Sequence, residues 1–188
     1  HYLDDALQQA ACIAAVEAFN APYSLMLREI DAVGMYDTTV EAQGKTFVTT
    51  ELGGGGTATA RSARIARRGL RNVLIHAGIL QGEIERAPSV MLDMPDDDCY
   101  HTAPETGLIE PLVDLGEAVV PGQPLARIWP LDRTGSLPVT ITAQREGLLA
   151  ARHFPGIVQI GDTLAVVAVA AVPPLGASAA SGVHVPRS

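Results

Sequence analysis

Lysine is almost absent: of 13 Lys and Arg side chains, Lys45 is the single lysine. Biased codon usage is the ordinary reading, yet any chemistry that needs a lysine elsewhere is excluded. Only two cysteines occur, Cys12 and Cys99. They form no CxxC pair and no disulfide-style spacing, so they point to a reducing compartment and cannot build a metal site on their own. Excess positive charge is missing too. The net charge of −8 argues against nucleic acid or an anionic membrane as partner, because both require a basic surface. No apolar run reaches the roughly 18 residues of a membrane span, and no signal-like segment opens the chain. These absences lead to a cytoplasmic assignment without a membrane role.

What is present is ordinary globular composition, 47% hydrophobic and 18% charged over 188 residues. That length suits one sizeable core or two small ones. Leu7, Ala10, Ala11, Ala14 and Ala18 recur at helical spacing over 4–19, with Asp4 and Asp5 at the favourable end of the dipole. The helix is expected to stop at Asn20-Ala21-Pro22. "YSLML" (23–27) reads as a buried strand and 31–34 as a polar turn. Asp37 is a candidate cap for a short helix through Val40 that stops by Gly44.

The β-branched "KTFVTTEL" (45–52) predicts a strand carrying Glu51 at its C-terminal end. Gly53 to Gly56 break it, and Thr57 or Thr59 can cap a helix. Gly69 leaves two continuations open; the helix is expected to run through it to about Ala77. Pro88, Pro95, Pro104 and the Asp96-Asp97-Asp98 run mark a boundary, giving expected units 1–95 and 96–170. Within the second, "GLIEPLVDLGEAVVPGQPLARI" (107–128) repeats as "GLLAARHFPGIVQIGDTLAVV" (147–167). Two hairpin copies, each unable to bury its apolar face alone, predict a small pseudo-twofold barrel or sandwich. The Pro, Ala, Ser and Gly stretch 171–188 predicts disorder.

Three chemistries compete. Gly53-x-Gly55-x-x-Ala58 fits a dinucleotide-type glycine loop. That reading needs an acidic residue about 20 positions on, and 72–76 is Asn-Val-Leu-Ile-His. A phosphate loop of the Gly-Lys-Ser/Thr kind is also missing. The duplicated hairpin resembles lipoyl and biotinyl carrier domains, but 129–146 holds no lysine to modify, so a swinging arm is excluded and a structural lid or assembly surface is expected instead. Glu51 is the third feature. A carboxylate at a strand's carboxyl end, beside small residues, suits a general base, against the plainer role of a capping or surface acid. The five histidines, His1, His76, His101, His153 and His184, show no H-x-x-E or H-E-x-x-H spacing.

Taken together, "DAVGMYDTTVEAQGKTFVTTELGGGGTATARSARIARRGLRNVLIHAGIL", "LDMPDDDCY" and the "GLIEPLVDLGE" module resemble the succinylglutamate desuccinylase/aspartoacylase family. The resemblance implies part of a zinc carboxypeptidase-like α/β domain followed by a small all-β barrel-sandwich domain of lipoyl/biotinyl-like form without a cofactor. It implies zinc held by an H-x-x-E pair and a further histidine, none of which this sequence matches; His1, followed by "YLDD", does not fit the ligand context. Glu51, followed by Leu52 and Gly53, matches the family's E-x-G general base. Implied too is hydrolysis of the amide bond of a small-molecule N-acyl amino acid, of the N-acetyl-diaminobutyrate deacetylase type from ectoine degradation.

The missing ligand motif, the absent initiator Met and the mid-pattern start lead to the expectation of a C-terminal fragment. Its exposed sheet surface would favour aggregation, and its zinc ligands would lie upstream. A non-catalytic binding or assembly role is the rival expectation for the chain by itself. The acyl group, the amine and homo-oligomerisation stay open at this stage.

Overall fold

The computed structural model describes residues 3–26, 35–132 and 134–171. The expected turn at 31–34, the stretch 172–188 and His1 lie outside them. Three helices come first: α1 (Ala6–Phe19), α2 (Tyr36–Glu41) and α3 (Ala60–His76), with β1 (Tyr23–Met26) after α1. Nine strands follow α3: β2 (Val90–Asp93), β3 (Tyr100–Thr102), β4 (Gly107–Pro111), β5 (Ala118–Val119), β6 (Pro124–Trp129), β7 (Val139–Thr142), β8 (Gly147–Arg152), β9 (Ile157–Val158) and β10 (Thr163–Ala170). No helix among the described residues is long and apolar enough to cross a membrane.

α1 starts where Asp5 accepts hydrogen bonds from the Leu7 and Gln8 amides and ends at Asn20 in the left-handed region, φ 57°. Its buried side is Cys12, Ala15 and Ala18, whereas Leu7 is 84% exposed. The expected stripe Leu7, Ala10, Ala11, Ala14 and Ala18 is therefore buried only toward its C-terminal end: the first three are exposed, Ala14 is half-buried and Ala18 is buried. The helix is apolar nearly all round, so spacing alone does not choose a face. α3 runs through Gly69, where a side chain would collide with the Phe19 ring. Glycine costs the helix roughly 1 kcal/mol but lets α1 and α3 approach closely. Asn72, fully buried, exchanges two hydrogen bonds with the Glu85 backbone, and Arg68 donates to the Asn20 carbonyl at 2.8 Å.

Two expectations in this region are corrected. α2 begins one residue before Asp37, with Met35 at its N-cap; Asp37 lies inside the first turn, where a carboxylate suits the positive end of the helix. Residues 45–52 form no strand with the described residues. Their β-branched content favours an extended backbone, but a strand is defined by a ladder. The ties of this segment are instead Gln8 Nε2 to the Lys45 carbonyl and the Phe47 amide to Cys12 Sγ.

The strands form two sheets. One runs β1-β2-β10-β8-β5 with β3 beside β10; the other runs β7-β6-β4-β9. β1 and β2 are parallel, and β2 joins β10 antiparallel at Leu92↔Ala170 and Asp93↔Val169. One sheet therefore continues across residue 95. The repeat appears as a long, a short and a long strand in each copy, and the copies interlock: β9 pairs with β4, and β5 pairs with β8.

The correspondence begins further upstream than 107 and 147. Ala103 donates to the Asp162 carbonyl and accepts from Gly161, and Ala143 donates to the Gln123 carbonyl and accepts from Gly122, at 2.8–2.9 Å. Thr-Ala stands four residues before the glycine in both copies, a signal present in the sequence.

Leu125, Ala126 and Ile128 meet Leu149, Leu164, Ala165 and Val167 in the core between the sheets. On its other face β10 buries Val166 and Ala168 against Leu92, Met94 and Cys99. Five consecutive residues, Leu164–Ala168, are thus buried, as a two-sided strand requires.

Leu164→Ala should lower the unfolding free energy by about 2–5 kcal/mol, since the side chain is fully buried and the site is braced on both sides. Leu137→Ala, at 88% exposure, should stay within about 0.5 kcal/mol. Urea denaturation of both variants measures the difference.

Candidate active site

A cleft of about 810 Å³ opens between the sheet face and the α1–α3 layer. Its lining is mainly apolar, with Tyr23, Leu25, Leu92 and Leu148 on the sheet side. Two charged side chains line it, Glu51 and Arg61, and both are exposed. The Glu51 carboxylate forms no hydrogen bond or ion pair with a described residue. A carboxylate and a guanidinium on one apolar cleft can take a proton and hold an anion.

Glu51 lines the cleft from a segment that forms no strand with the described residues, which corrects the expected placement. Local geometry explains the glycines that follow. Gly53, Gly54, Gly55 and Gly56 have φ of 99°, 69°, 59° and 64°, a left-handed run that only glycine adopts without penalty. A methyl group at Gly53 would lie 2.5 Å from the Thr57 carbonyl oxygen, and one at Gly55 would lie 2.5 Å from Cδ2 of Phe154. The glycines make the turn and admit a neighbouring ring.

α3 then begins in a reciprocal cap. Thr59 Oγ1 accepts the Ser62 amide at 3.0 Å, and Ser62 Oγ accepts the Thr59 amide at 2.9 Å. The Thr57 amide is taken by the Gly54 carbonyl. The Thr57, Thr59 and Ser62 amides at the loop–helix junction are thus engaged within the protein. The same cap aims Arg61, two residues into α3, at the cleft. Arg61 was not singled out from the sequence; its position beside the cap, ten residues after Glu51, is the signal that would have found it.

The histidines within the described residues stay apart. His76 is exposed near the end of α3, and His153 holds a turn with Nε2 3.1 Å from the Ile157 carbonyl. His101 is buried in β3, and its Nε2 accepts the Gln144 amide at 3.0 Å. No group of three His, Cys, Asp or Glu side chains among the described residues could hold a metal ion. They do not by themselves form the zinc site that the resemblance implies. Cys12 and Cys99 are both buried and unpaired.

Residues 1–77, which contain Glu51, the glycine loop and α3, match the succinylglutamate desuccinylase/aspartoacylase catalytic domain. They belong to that family. Over 170 residues the chain is 49% identical to the N-alpha-acetyl-L-2,4-diaminobutyric acid deacetylase of Halomonas elongata, covering 89% of this chain and 50% of that one.

Its fold is similar to the product-bound ectoine utilization protein EutE (DoeB) of Ruegeria pomeroyi, with TM-score 0.86 and 58% identity over 90% of this chain and 52% of that one. It is also similar to a succinylglutamate desuccinylase/aspartoacylase from Rhodobacter sphaeroides, with TM-score 0.82 and 33% identity over 91% and 52%. The mixed helix and sheet fold is thus that of the family's solved structures, and the similarity extends past residue 77 into the strands. The chain spans about half the length of these relatives.

His101 makes the fold sensitive to acid. Burial is the main cause that lowers its pKa from the ordinary 6.5; the Ala165 and Cys99 carbonyls and the Asp98 charge oppose it without prevailing. Nδ1 forms no well-aligned hydrogen bond with those carbonyls, and Nε2 must be unprotonated to accept from Gln144. The folded state therefore binds the proton less readily than the unfolded chain. Its contribution to stability is complete above about 6.5 and is lost as pH falls below that value. Denaturation midpoints between pH 7.5 and 5 should fall for the wild type and fall less for His101→Gln.

Proposed function

We propose that the cleft lined by Glu51 hydrolyses the amide bond of an N-acyl amino acid, of the N-acetyl-diaminobutyrate type. The observation that carries this reading is one carboxylate, free of described partners, standing in an apolar cleft within the family's matched catalytic region. The names of the relatives supply the substrate class.

Glu51 accepts a proton from the attacking water as its oxygen bonds to the acyl carbon. The carboxyl then returns that proton to the amide nitrogen as the C–N bond breaks, releasing the acid and the amine. Such transfers contribute roughly 10²–10⁴ in rate. Arg61 is matched to the substrate's α-carboxylate, as a guanidinium can hold it through two parallel N–H donors. The apolar lining limits competing water.

Zinc, where its ligand set is complete, supplies Lewis-acid chemistry in such sites; the steps above are confined to this chain's own groups. The lipoyl/biotinyl-like barrel-sandwich assignment for 96–170, set against a catalytic part at 1–95, is part of the same proposal. The interlocked copies support it.

The lack of a metal-holding cluster among the described residues favours a second reading, in which the chain by itself binds or assembles without catalysis. Metal analysis of the purified 188-residue chain with a deacetylase assay separates the two. Stoichiometric zinc with turnover supports the hydrolase, and neither supports the binding role.

Where turnover is present, Glu51→Gln should lower kcat by about 10²–10⁴ with KM little changed, and a near-normal kcat would refute the base assignment. Arg61→Gln should instead raise KM by about tenfold, as expected for loss of a charge-assisted contact. Steady-state kinetics on both variants distinguishes the roles.

A further inference from the structure

Phe154 lies on the turn between β8 and β9 and is 68% exposed, outside both core clusters. The turn is held firmly. The His153 amide donates to the Leu164 carbonyl at 2.8 Å, His153 Nε2 lies 3.1 Å from the Ile157 carbonyl, and the Ile109 amide donates to the Gly156 carbonyl at 2.9 Å. Pro155 further restricts Phe154 to extended backbone.

The ring presented by this turn sits on Gly55, where a methyl group would approach Cδ2 at 2.5 Å and Cε2 at 2.6 Å. Gly54 and Gly56 have nothing within 4 Å of the corresponding positions. Four successive glycines have more backbone freedom than any other four residues. A rigid ring seated on the third restricts that freedom at one point, and Glu51 is only four residues away.

We propose that Phe154 is a positioning residue, clasping the glycine loop through Gly55 so that the strand module sets where Glu51 stands in the cleft. This rests on the reading of Glu51 as the base. A catalytic group must be held within about 0.5 Å, and a displacement near 1 Å can cost about 10² in rate. The ring faces the loop from the turn between β8 and β9, so the two halves of the chain would cooperate in one site.

Amide hydrogen exchange of residues 52–57, together with the ¹³C carboxyl signal of Glu51, tests the clasp in the full chain without needing turnover. Phe154→Ala and Gly55→Ala approach the contact from opposite sides. Each should speed exchange of these amides by about tenfold and move the Glu51 signal, with the denaturation midpoint nearly unchanged for Phe154→Ala. Phe154→Tyr should restore both readouts, and Ile160→Ala, at a 71% exposed apolar site on the same module, should change neither.

Unchanged exchange and an unchanged Glu51 signal in both clasp variants would overturn the proposal. Where the enzyme turns over, Phe154→Ala should lower kcat with KM nearly constant. Clasp effects in a protein whose Glu51→Gln variant keeps its kcat would count against the base assignment alone.

Discussion

The structure depends on the burial of β10 on both faces. Leu164, Ala165 and Val167 fill the core between the two sheets, while Val166 and Ala168 close a second cluster with Leu92, Met94 and Cys99. The same strand bonds to β2 and β3 along one edge and to β8 along the other. A strand without a polar face cannot stand at a surface, so it draws the helical part and the duplicated hairpins onto one sheet. Through β2 the sheet carries β1, and through β1 the floor of the cleft.

The cleft inherits its shape from this arrangement. Its floor is sheet, its wall is the α1–α3 pair brought close by Gly69 against Phe19, and its polar rim comes from the glycine loop and the first turn of α3. The hairpin that interlocks with its copy also presents Phe154 to that loop. Duplication closes the core by exchange of short strands, since β5 and β9 each complete the other copy, and it leaves the connecting turns available for contacts beyond the core. The buried His101 belongs to this framework and not to the cleft; its neutral ring receives the Gln144 amide where the corresponding position of the second copy, Ile141, is apolar.

Much of the fold was legible in the chain. The acidic start of α1, a threonine cap for α3, the end of α1 at Asn20, a strand from Tyr23 and the repeat all rest on local chemistry; that strand was expected to be buried, but Tyr23 and Leu25 are exposed because β1 lines the open cleft. The errors share a cause. The face of α1, the lack of a ladder between 45–52 and the described residues, and the upstream reach of the repeat depend on partners distant in sequence. For the repeat a local cue did exist, in the Thr-Ala that precedes each glycine, whereas for the face of α1 a helix apolar all round offered none. The glycines after Glu51 look like clearance in the sequence; in the structure their φ angles and the Phe154 ring explain them.

Glu51 as the notable carboxylate, the lack of a lysine for a carrier arm and the family resemblance follow from the residues themselves, because each depends on side-chain type and short spacing. The tertiary structure alone decided that Arg61 shares the cleft with Glu51, that β2 and β10 join the two halves, and that Phe154 rests on Gly55. Such meetings are set by which apolar faces find each other when the chain closes, and a linear order of residues does not contain those distances.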